Sequence, residues 1–269
     1  PMMNARALLV AVSLSCVARA SCDAQPTVAA ASYTDIVRRS GFIFQGTVQS
    51  IGTATPTVRA EPNTAVVLVT AVLEALPPVG NITGHQVTVR LRSPREVREG
   101  QSATFYTYVY SAGQSLGLQA VAILPLEERN VSVARIRAAR DTLSDQRLAR
   151  RLASAQLVVL GTAGDAIPAR GSEERRGEHD PLWSRVPIRV EVALKGNPRG
   201  PTVVVNVARS DDPAWERSPK PKPGDYKVFL LQPAKGPQFY VPGPFLIDSL
   251  DMLDAGQTDR VRRLLRSRR

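Results

Sequence analysis

The stretch GFIFQGTV at Gly41–Val48 is matched further along the chain by QLVVLGTA at Gln156–Ala163. Each stretch is an apolar run that ends in Gly-Thr and a small apolar residue. Two such runs in a chain of 269 residues indicate an internal repeat, which is best sought before single elements are assigned.

The segments that follow the two runs come in the same order. VVLVTAVLEAL and HQVTVRL follow the first run, and VPIRVEVALKG and PTVVVNV follow the second. EGQSATFYTYV and PGDYKVFLLQP form a third pair. Four pairs of equivalent residues lie 115 to 124 positions apart: Gly46 and Gly161, Val69 and Val190, Val87 and Val203, Gly100 and Gly224. This spacing predicts two copies of one domain with loops of different length.

Most of these segments alternate, or stay apolar for several residues, between Gly, Pro and Asn, which predicts strands. Helical patterns occur before the first run, between the two copies and at the end of the chain. Each copy contains about five strands. That number favours a five-stranded Greek-key barrel over a seven-stranded immunoglobulin-like sandwich.

The second copy carries Gly161-Thr162-Ala163, then Val190–Gly196, then Gly224–Leu230. This series resembles the OB-fold of netrin-like and tissue-inhibitor-of-metalloproteinase-like domains, particularly those of bacterial secreted proteins. The first copy departs from it, with Glu74-Ala75 where the second has Lys195-Gly196. The resemblance implies an all-β fold with minor helices, in which two tandem OB-like Greek-key barrels are joined by a helical linker.

The predicted organisation has five parts. A signal peptide occupies 1–24, a first OB-like β domain 25–130, a helical linker 131–153, a second OB-like β domain 154–255, and a basic C-terminal helix or tail 256–269. Inhibitors in the family chelate zinc through a disulfide-bonded N-terminal cysteine, whereas we expect the mature chain to begin at Gln25. The resemblance therefore implies the fold and not that inhibitory mechanism.

The leader has a basic start, an apolar stretch between Arg6 and Arg19, and small residues after it. This order is typical of a secretory signal, and the apolar stretch is well short of the roughly 20 residues that span a bilayer. We predict a periplasmic or secreted protein. Acylation of Cys22 is the alternative, although Arg19 stands where a lipobox requires an aliphatic residue.

Cysteine and histidine are too few for several kinds of site. Cys16 and Cys22 both lie in the leader region, and His85 and His179 are the only histidines. A His/Cys zinc site therefore cannot be assembled. The sequence also contains no EF-hand spacing, no Walker phosphate loop and no G-x-G-x-x-G. We predict no metal and no cofactor.

One catalytic motif needs to be weighed. Gly113–Gly117 matches the G-x-S-x-G elbow of serine hydrolases, with Ser115 as the nucleophile and His179 as its proposed partner. However, the following LGLQAVAIL indicates another strand rather than a helix. The motif is better interpreted as a hairpin turn. We predict no catalytic residue and no enzyme, with a hydrolase as the disfavoured alternative.

The charge is strongly basic and unevenly distributed. The net charge is +11, with 30 Arg and 5 Lys, and the second half from Gln146 carries +8 of it. The predicted partner- or membrane-binding residues are Arg150, Arg151, Arg260, Arg262, Arg263, Arg266, Arg268 and Arg269, together with Trp183 and Trp215 in Pro/Arg loops. Nucleic acid is disfavoured because the strand aromatics alternate across both faces and the protein is expected to be exported.

The tail has two interpretations. Val261, Leu264 and Leu265 share one helical face, which could lie on an anionic membrane or pack on the second barrel. From these observations we predict a non-enzymatic exported binding or scaffold protein, an accessory subunit that docks on the outer face of a membrane or membrane complex. The alternative is a soluble ligand-binding or protease-inhibitor-like module. The oligomeric state and the partner's identity do not follow from the sequence.

Overall fold

The computed structural model describes residues 30–75, 77, 79–169, 179–210, 212–236 and 238–267. The predicted signal peptide and Cys22 lie outside these residues. Within the described ranges the chain forms twelve strands and three α-helices. The fold is therefore mostly β with minor helices, as predicted.

The first five strands close into a barrel in the order β1-β2-β3-β5-β4. They are β1 (Phe42–Ile51), β2 (Thr64–Glu74), β3 (Gln86–Arg90), β4 (Ser102–Ala112) and β5 (Leu116–Pro125). All pairs are antiparallel except β3 with β5. Phe42, Phe44 and Phe105 fill the interior with branched aliphatic side chains, and the last two rings stack at 5.1 Å.

The second half forms a seven-stranded sheet. Its strands are β6 (Leu157–Ala163), β7 (Ile167–Pro168), β8 (Leu182–Lys195), β9 (Thr202–Arg209), β10 (Tyr226–Leu231), β11 (Phe245–Leu246) and β12 (Met252–Asp254). The order is β11-β9-β8-β6-β10-β12, with β7 paired to β8. The pair of β9 and β11 is parallel, as β3 and β5 are in the first half.

The Gly-Thr runs occupy the same place in both halves. Gly46 on β1 pairs with Val69, and Gly161 on β6 pairs with Val190, each beside an irregularity in the ladder. A Cβ atom at Gly46 would lie 2.8 Å from the carbonyl oxygen of Leu68, and one at Gly161 would overlap that of Arg189. Glycine is therefore required because the neighbouring strand approaches too closely for any side chain.

The other predicted equivalences also lie at matching register. Val87 pairs with Val67 two residues before Val69, and Val203 pairs with Ile188 two residues before Val190. Gly100 and Gly224 both have positive φ, 77° and 88°. Their N–H groups donate to the carbonyls of Val48 and Ala163, at 2.9 and 2.8 Å, and these are the residues that end the two Gly-Thr runs. The repeat that the sequence predicts is thus present in the strand pairing.

The second half differs from the predicted closed barrel where β10 would meet a fifth strand, and it also has the added short strands β7 and β12. β11 is only two residues long, and it meets the end of β10 through the single bridge Gln232–Phe245, with N···O distances of 3.0 and 2.9 Å. The intervening sequence QPAKGPQFYVPGP is rich in proline, which has no N–H to donate to a ladder. A full-length fifth strand therefore cannot form there.

The predicted linker is a structural helix shared by both halves. Helix α2 (Arg129–Ser154) runs for 26 residues without Gly or Pro, about 39 Å at the usual rise. Ile136 and Ala139 pack in a core cluster with the first barrel and helix α1 (Ala30–Arg39). Leu148 and Leu152 pack with the second sheet and helix α3 (Thr258–Arg266). The helix therefore packs against both halves through two apolar clusters, one on each half.

Equivalent strand ends hold this helix in different ways. Glu74 at the end of β2 pairs with Arg140 of α2, whose Nη2 also donates to the carbonyl of Ser40 at 2.7 Å. Lys195 at the end of β8 donates to carbonyls at the C-terminus of α2, among them that of Leu152 at 2.7 Å. An ammonium group is favourable at a helix C-terminus. The Glu74/Lys195 departure between the copies thus reflects which part of α2 each strand contacts.

Candidate binding surfaces

The three α-helices form a layer along the two β halves. Both α1 and α3 contact α2, which lies between them in the chain. Together they contain thirteen Arg and four Asp, with no Lys or Glu, so their net charge is +9. The rest of the chain contains 22 basic and 20 acidic side chains, a net charge of +2. Nearly all of the excess positive charge is therefore in the helical layer.

The apolar face of the C-terminal helix packs inward. Val261 of α3 is fully buried, and Leu264 and Leu265 pack against the same cluster beneath α2. Arg260 holds the outer edge of this contact, with its Nε 2.7 Å from Asp145 Oδ1 and its Nη2 2.8 Å from Ser144 Oγ. Of the two interpretations of the tail, the described residues fit packing on the fold.

The predicted arginines fall into distinct environments. Arg151 makes a two-pronged ion pair with the fully buried Asp251, at 2.6 and 2.5 Å, and Arg260 is half-buried against Asp145. Four lie exposed on α2 and α3, namely Arg150, Arg262, Arg263 and Arg266. Arg268 and Arg269 lie outside the described residues. The exposed arginines of the set are thus these four, among those the structure describes.

Their ion pairs are weak. Arg262 contacts Asp259 within its own helix at 3.2 Å, and Arg263 contacts Asp145 at 3.6 Å. In the described part of the chain, Arg150 and Arg266 have no ion-pair partner. Exposed pairs contribute little energy, so these guanidinium groups remain open to an external anion.

A groove of about 600 Å³ runs between α1 and α2 next to Arg150. Arg38 of α1 reaches it from the other side, although Arg38 and Arg39 both pair with Asp35. The remaining lining residues are the acidic Asp35, the polar Thr34, Thr142 and Gln146, and the apolar Leu143. The groove brings arginines from two helices together. The sequence alone did not predict this, because the whole first barrel separates α1 from α2 along the chain.

The two tryptophans are buried, with 1% of Trp183 and 8% of Trp215 exposed. Trp183 lies on β8 rather than in a loop, and its ring meets that of Trp215 edge-on at 5.3 Å. Their indole N–H groups donate to the carbonyls of Gln238 and His179, at 2.9 and 2.8 Å. With Phe239 and Phe245 they form an aromatic cluster at one end of the second sheet. Both rings are therefore occupied by packing.

The proposed catalytic pair is not brought together. Ser115 lies in the turn between β4 and β5, as the hairpin interpretation requires. His179 belongs to the second half, where its Nδ1 lies 2.7 Å from Asp212 Oδ2. That hydrogen bond, and the one from the Ala214 N–H, lower the pKa of Asp212. Ser115 shares a cleft with His85 instead, and no carboxylate among the described residues lines that cleft.

The described residues were also compared with what a metal site and a membrane-spanning helix require. No group of three or more His, Cys, Asp or Glu side chains in the described ranges is placed to hold a metal ion. Among the residues that the structure describes, none of the helices has the length and apolar character to cross a bilayer.

Sequence reasoning missed a surface on the first barrel. Tyr108 and Tyr110 of β4 are 47% and 37% exposed, and the guanidinium carbon of Arg90 lies 4.7 Å from the centre of the Tyr110 ring. The alternation YTYVY places Tyr108 and Tyr110 on one side of the strand. Arg90 could not be added from the sequence, because β3 is brought near β4 only through the parallel pairing of β3 with β5.

Comparison with protein-family models found no match, and comparison with curated proteins found no significant one.

Proposed function

We propose that the protein is a non-enzymatic, exported binding or scaffold protein that docks on an anionic surface at the outer face of a membrane or membrane complex. In this proposal the helical layer is the docking surface. The observation that carries it is the concentration of charge: the three helices hold +9 of the net +11, all of it from arginine. Arginine stays charged at every physiological pH and binds phosphate oxygens in pairs.

The β halves are, in this proposal, two OB-like units that present the layer. The support is the shared strand order, with a parallel pair β3–β5 in one half and β9–β11 in the other. The matching registers of Gly46 and Gly161 add to it. A helix packed against both halves, as α2 is, keeps its arginines at fixed spacing instead of leaving them on a flexible linker.

The packing of α3 decides the mode of binding. Because Val261, Leu264 and Leu265 face the core, the apolar face of the helix is already covered and cannot insert between lipids. Binding then rests on charge alone. Each basic residue near an anionic membrane contributes about 1 kcal/mol, and salt screens this attraction, with a Debye length of about 3 Å at 1 M.

The test is co-sedimentation of the full chain with phosphatidylcholine vesicles, prepared with and without the anionic lipid phosphatidylglycerol. A fourfold Arg→Gln variant removes the exposed arginines at 150, 262, 263 and 266. A matched control makes the same change at four exposed arginines outside the layer: Arg59, Arg95, Arg98 and Arg199. Both variants lose four charges, so only position differs.

We expect the helical variant to lose up to about 4 kcal/mol, or several hundredfold, in partitioning to the anionic vesicles at low salt, and the control variant much less. Full release of the parent chain by 1 M NaCl should accompany this result. If both variants weaken equally, the helical layer has no special role. If the parent chain does not bind, or stays bound in 1 M NaCl, docking by surface charge is refuted.

A further inference from the structure

A second surface, separate from the helical layer, lies on the outside of the first barrel. Tyr108, Gln119 and Arg90 are paired in register across β4, β5 and β3, so they form one row over three neighbouring strands. The neighbours of Gln119 and Arg90 along their strands, Leu118 and Val89 among them, point into the barrel core. The row therefore faces outward, and neighbouring strands about 4.8 Å apart place its ends roughly 10 Å apart.

The ring of Tyr110 is held in a fixed position on this face. It lies over Gly117 of β5, where an added Cβ would be 2.9 Å from the ring carbon Cζ. Arg90 contacts the same ring, with its guanidinium carbon 4.7 Å from the centroid. Gly117 thus leaves room for an aromatic ring directly above the strand, and the ring is set in place before any ligand arrives.

The positive charge of Arg90 on this face is balanced by the negative charge of Glu61. Arg90 Nη2 lies 3.0 Å from Glu61 Oε1, and about a third of each side chain is exposed. Gln119 is fixed by its amide, which donates to the carbonyl of Arg90 at 3.1 Å. The surface therefore combines two exposed phenol rings, an amide and a balanced ion pair.

A cleft of about 230 Å³ lies at the end of the barrel that this face adjoins. Gln86, Ser115 and Leu116 line it, next to the β4–β5 turn, and Ile82 and Val79 supply an apolar floor. It is smaller than the roughly 300–1,000 Å³ of pockets for drug-sized ligands, so the ligand contacts of this region are expected on the open face rather than in the cleft.

We propose that this surface, formed by Tyr108, Tyr110, Arg90, Gln119 and Glu61, binds a neutral oligosaccharide. Tyrosine offers an apolar ring face to the C–H groups of a sugar and a hydroxyl to its polar edge. The amide and the ion pair supply both donors and acceptors for sugar hydroxyls. The proposal goes beyond the docking function and does not depend on it.

Two other ligand classes fit the surface less well. A single-stranded nucleic acid requires a basic groove along its phosphates, and here Glu61 balances Arg90. An extended peptide that adds a strand requires an open sheet edge, and the first barrel is closed.

The test is titration of the full chain, labelled with ¹⁵N, with maltohexaose, cellohexaose, chitohexaose and, as a charged comparison, hexathymidylate. We expect at least one hexasaccharide to shift the backbone amides of Gly117 and Gln119. Tyr108→Ala should weaken that sugar about tenfold or more through the lost ring contact. Tyr226→Ala is the matched control, because Tyr226 is a 43% exposed strand tyrosine in the second half.

If the amide signals of Tyr108→Ala away from this surface match those of the parent chain, the variant is folded. The proposal is overturned if no hexasaccharide shifts these amides at the highest soluble concentration, or if Tyr226→Ala weakens binding as much as Tyr108→Ala. It is also overturned if hexathymidylate binds this face more tightly than every sugar.

Discussion

The ion pair between Arg151 and Asp251 gives the sharpest test of how α2 holds the second half. Asp251 is fully buried and accepts hydrogen bonds from Arg151 Nε and Nη2 at 2.6 and 2.5 Å. It also accepts from the Gln232 amide at 3.0 Å and from the backbone N–H groups of Ile247 and Asp248 at 2.7 and 3.0 Å. Donors from four residues thus converge on one carboxylate.

Replacing Asp251 by Ala removes the common acceptor of all these donors. The two N–H groups and the Gln232 amide lose a buried partner, and Arg151, only 25% exposed, loses its counter-charge. Breaking a buried pair by removing one partner costs about 3–5 kcal/mol. Against a usual domain stability of about 5–15 kcal/mol, this is about a fifth of the total or more. Arg151→Met should cost a similar amount, because the carboxylate then stays buried without its guanidinium.

Urea unfolding followed by tryptophan fluorescence measures the effect where it occurs, since Trp183 and Trp215 both lie in the second half. Arg150→Met is the control: it removes the neighbouring charge, which is exposed and has no ion-pair partner among the described residues. It should change the free energy of unfolding by less than about 0.5 kcal/mol. A cost for Asp251→Ala as small as that of the control, or equal costs for the two arginine variants, would refute the reasoning.

Two further predictions concern the close strand contact at Gly161 on β6 and the hydrogen bond between Tyr33 of α1 and Tyr106 of β4. Gly161→Ala should destabilise the second half by several kcal/mol, because its Cβ would overlap a carbonyl oxygen. Gly200→Ala, in the same half, is the control: an added Cβ there has no atom within 4 Å, so it should be nearly neutral in the same urea assay. Burial raises the pKa of Tyr106, whose hydroxyl lies 2.8 Å from that of Tyr33, and burial also raises the pKa of Tyr33. Because the unfolded chain ionises first, stability that is complete below pH 10 should fall above it, by up to about 1.4 kcal/mol per pH unit for each tyrosine. Tyr106→Phe should reduce the loss of unfolding free energy per pH unit in urea titrations between pH 9 and 11. An unchanged slope would contradict the assignment of this loss to Tyr106.

The repeat in the two halves could be predicted because its signals are local. A glycine that lets a neighbouring strand approach, as at Gly46 and Gly161, stands at a fixed place in an apolar run and is visible without a structure. The positive φ of Gly100 and Gly224 is likewise a property of the residue itself. The single bridge between Gln232 and Phe245, where a strand ladder was expected, was missed. A count of strand-like segments does not show over how many residues each segment can pair.

The candidate site was predicted less well, because a count of arginines does not say which of them remain free. Arg151 and Arg260 have their carboxylates at Asp251 and Asp145, 100 and 115 positions away in the sequence. Arg150 differs from Arg151 only in pointing elsewhere on the same helix. Counting every arginine of the linker and the tail therefore overestimates the charge available for binding. It also treats the linker and the tail as two separate sites, although α2 and α3 are packed together. Once α3 packs on α2, their remaining arginines belong to one layer. The number of charges that a surface can present to an anion is thus set by the packing of Val261 and Leu148, two apolar residues that no charge analysis would single out.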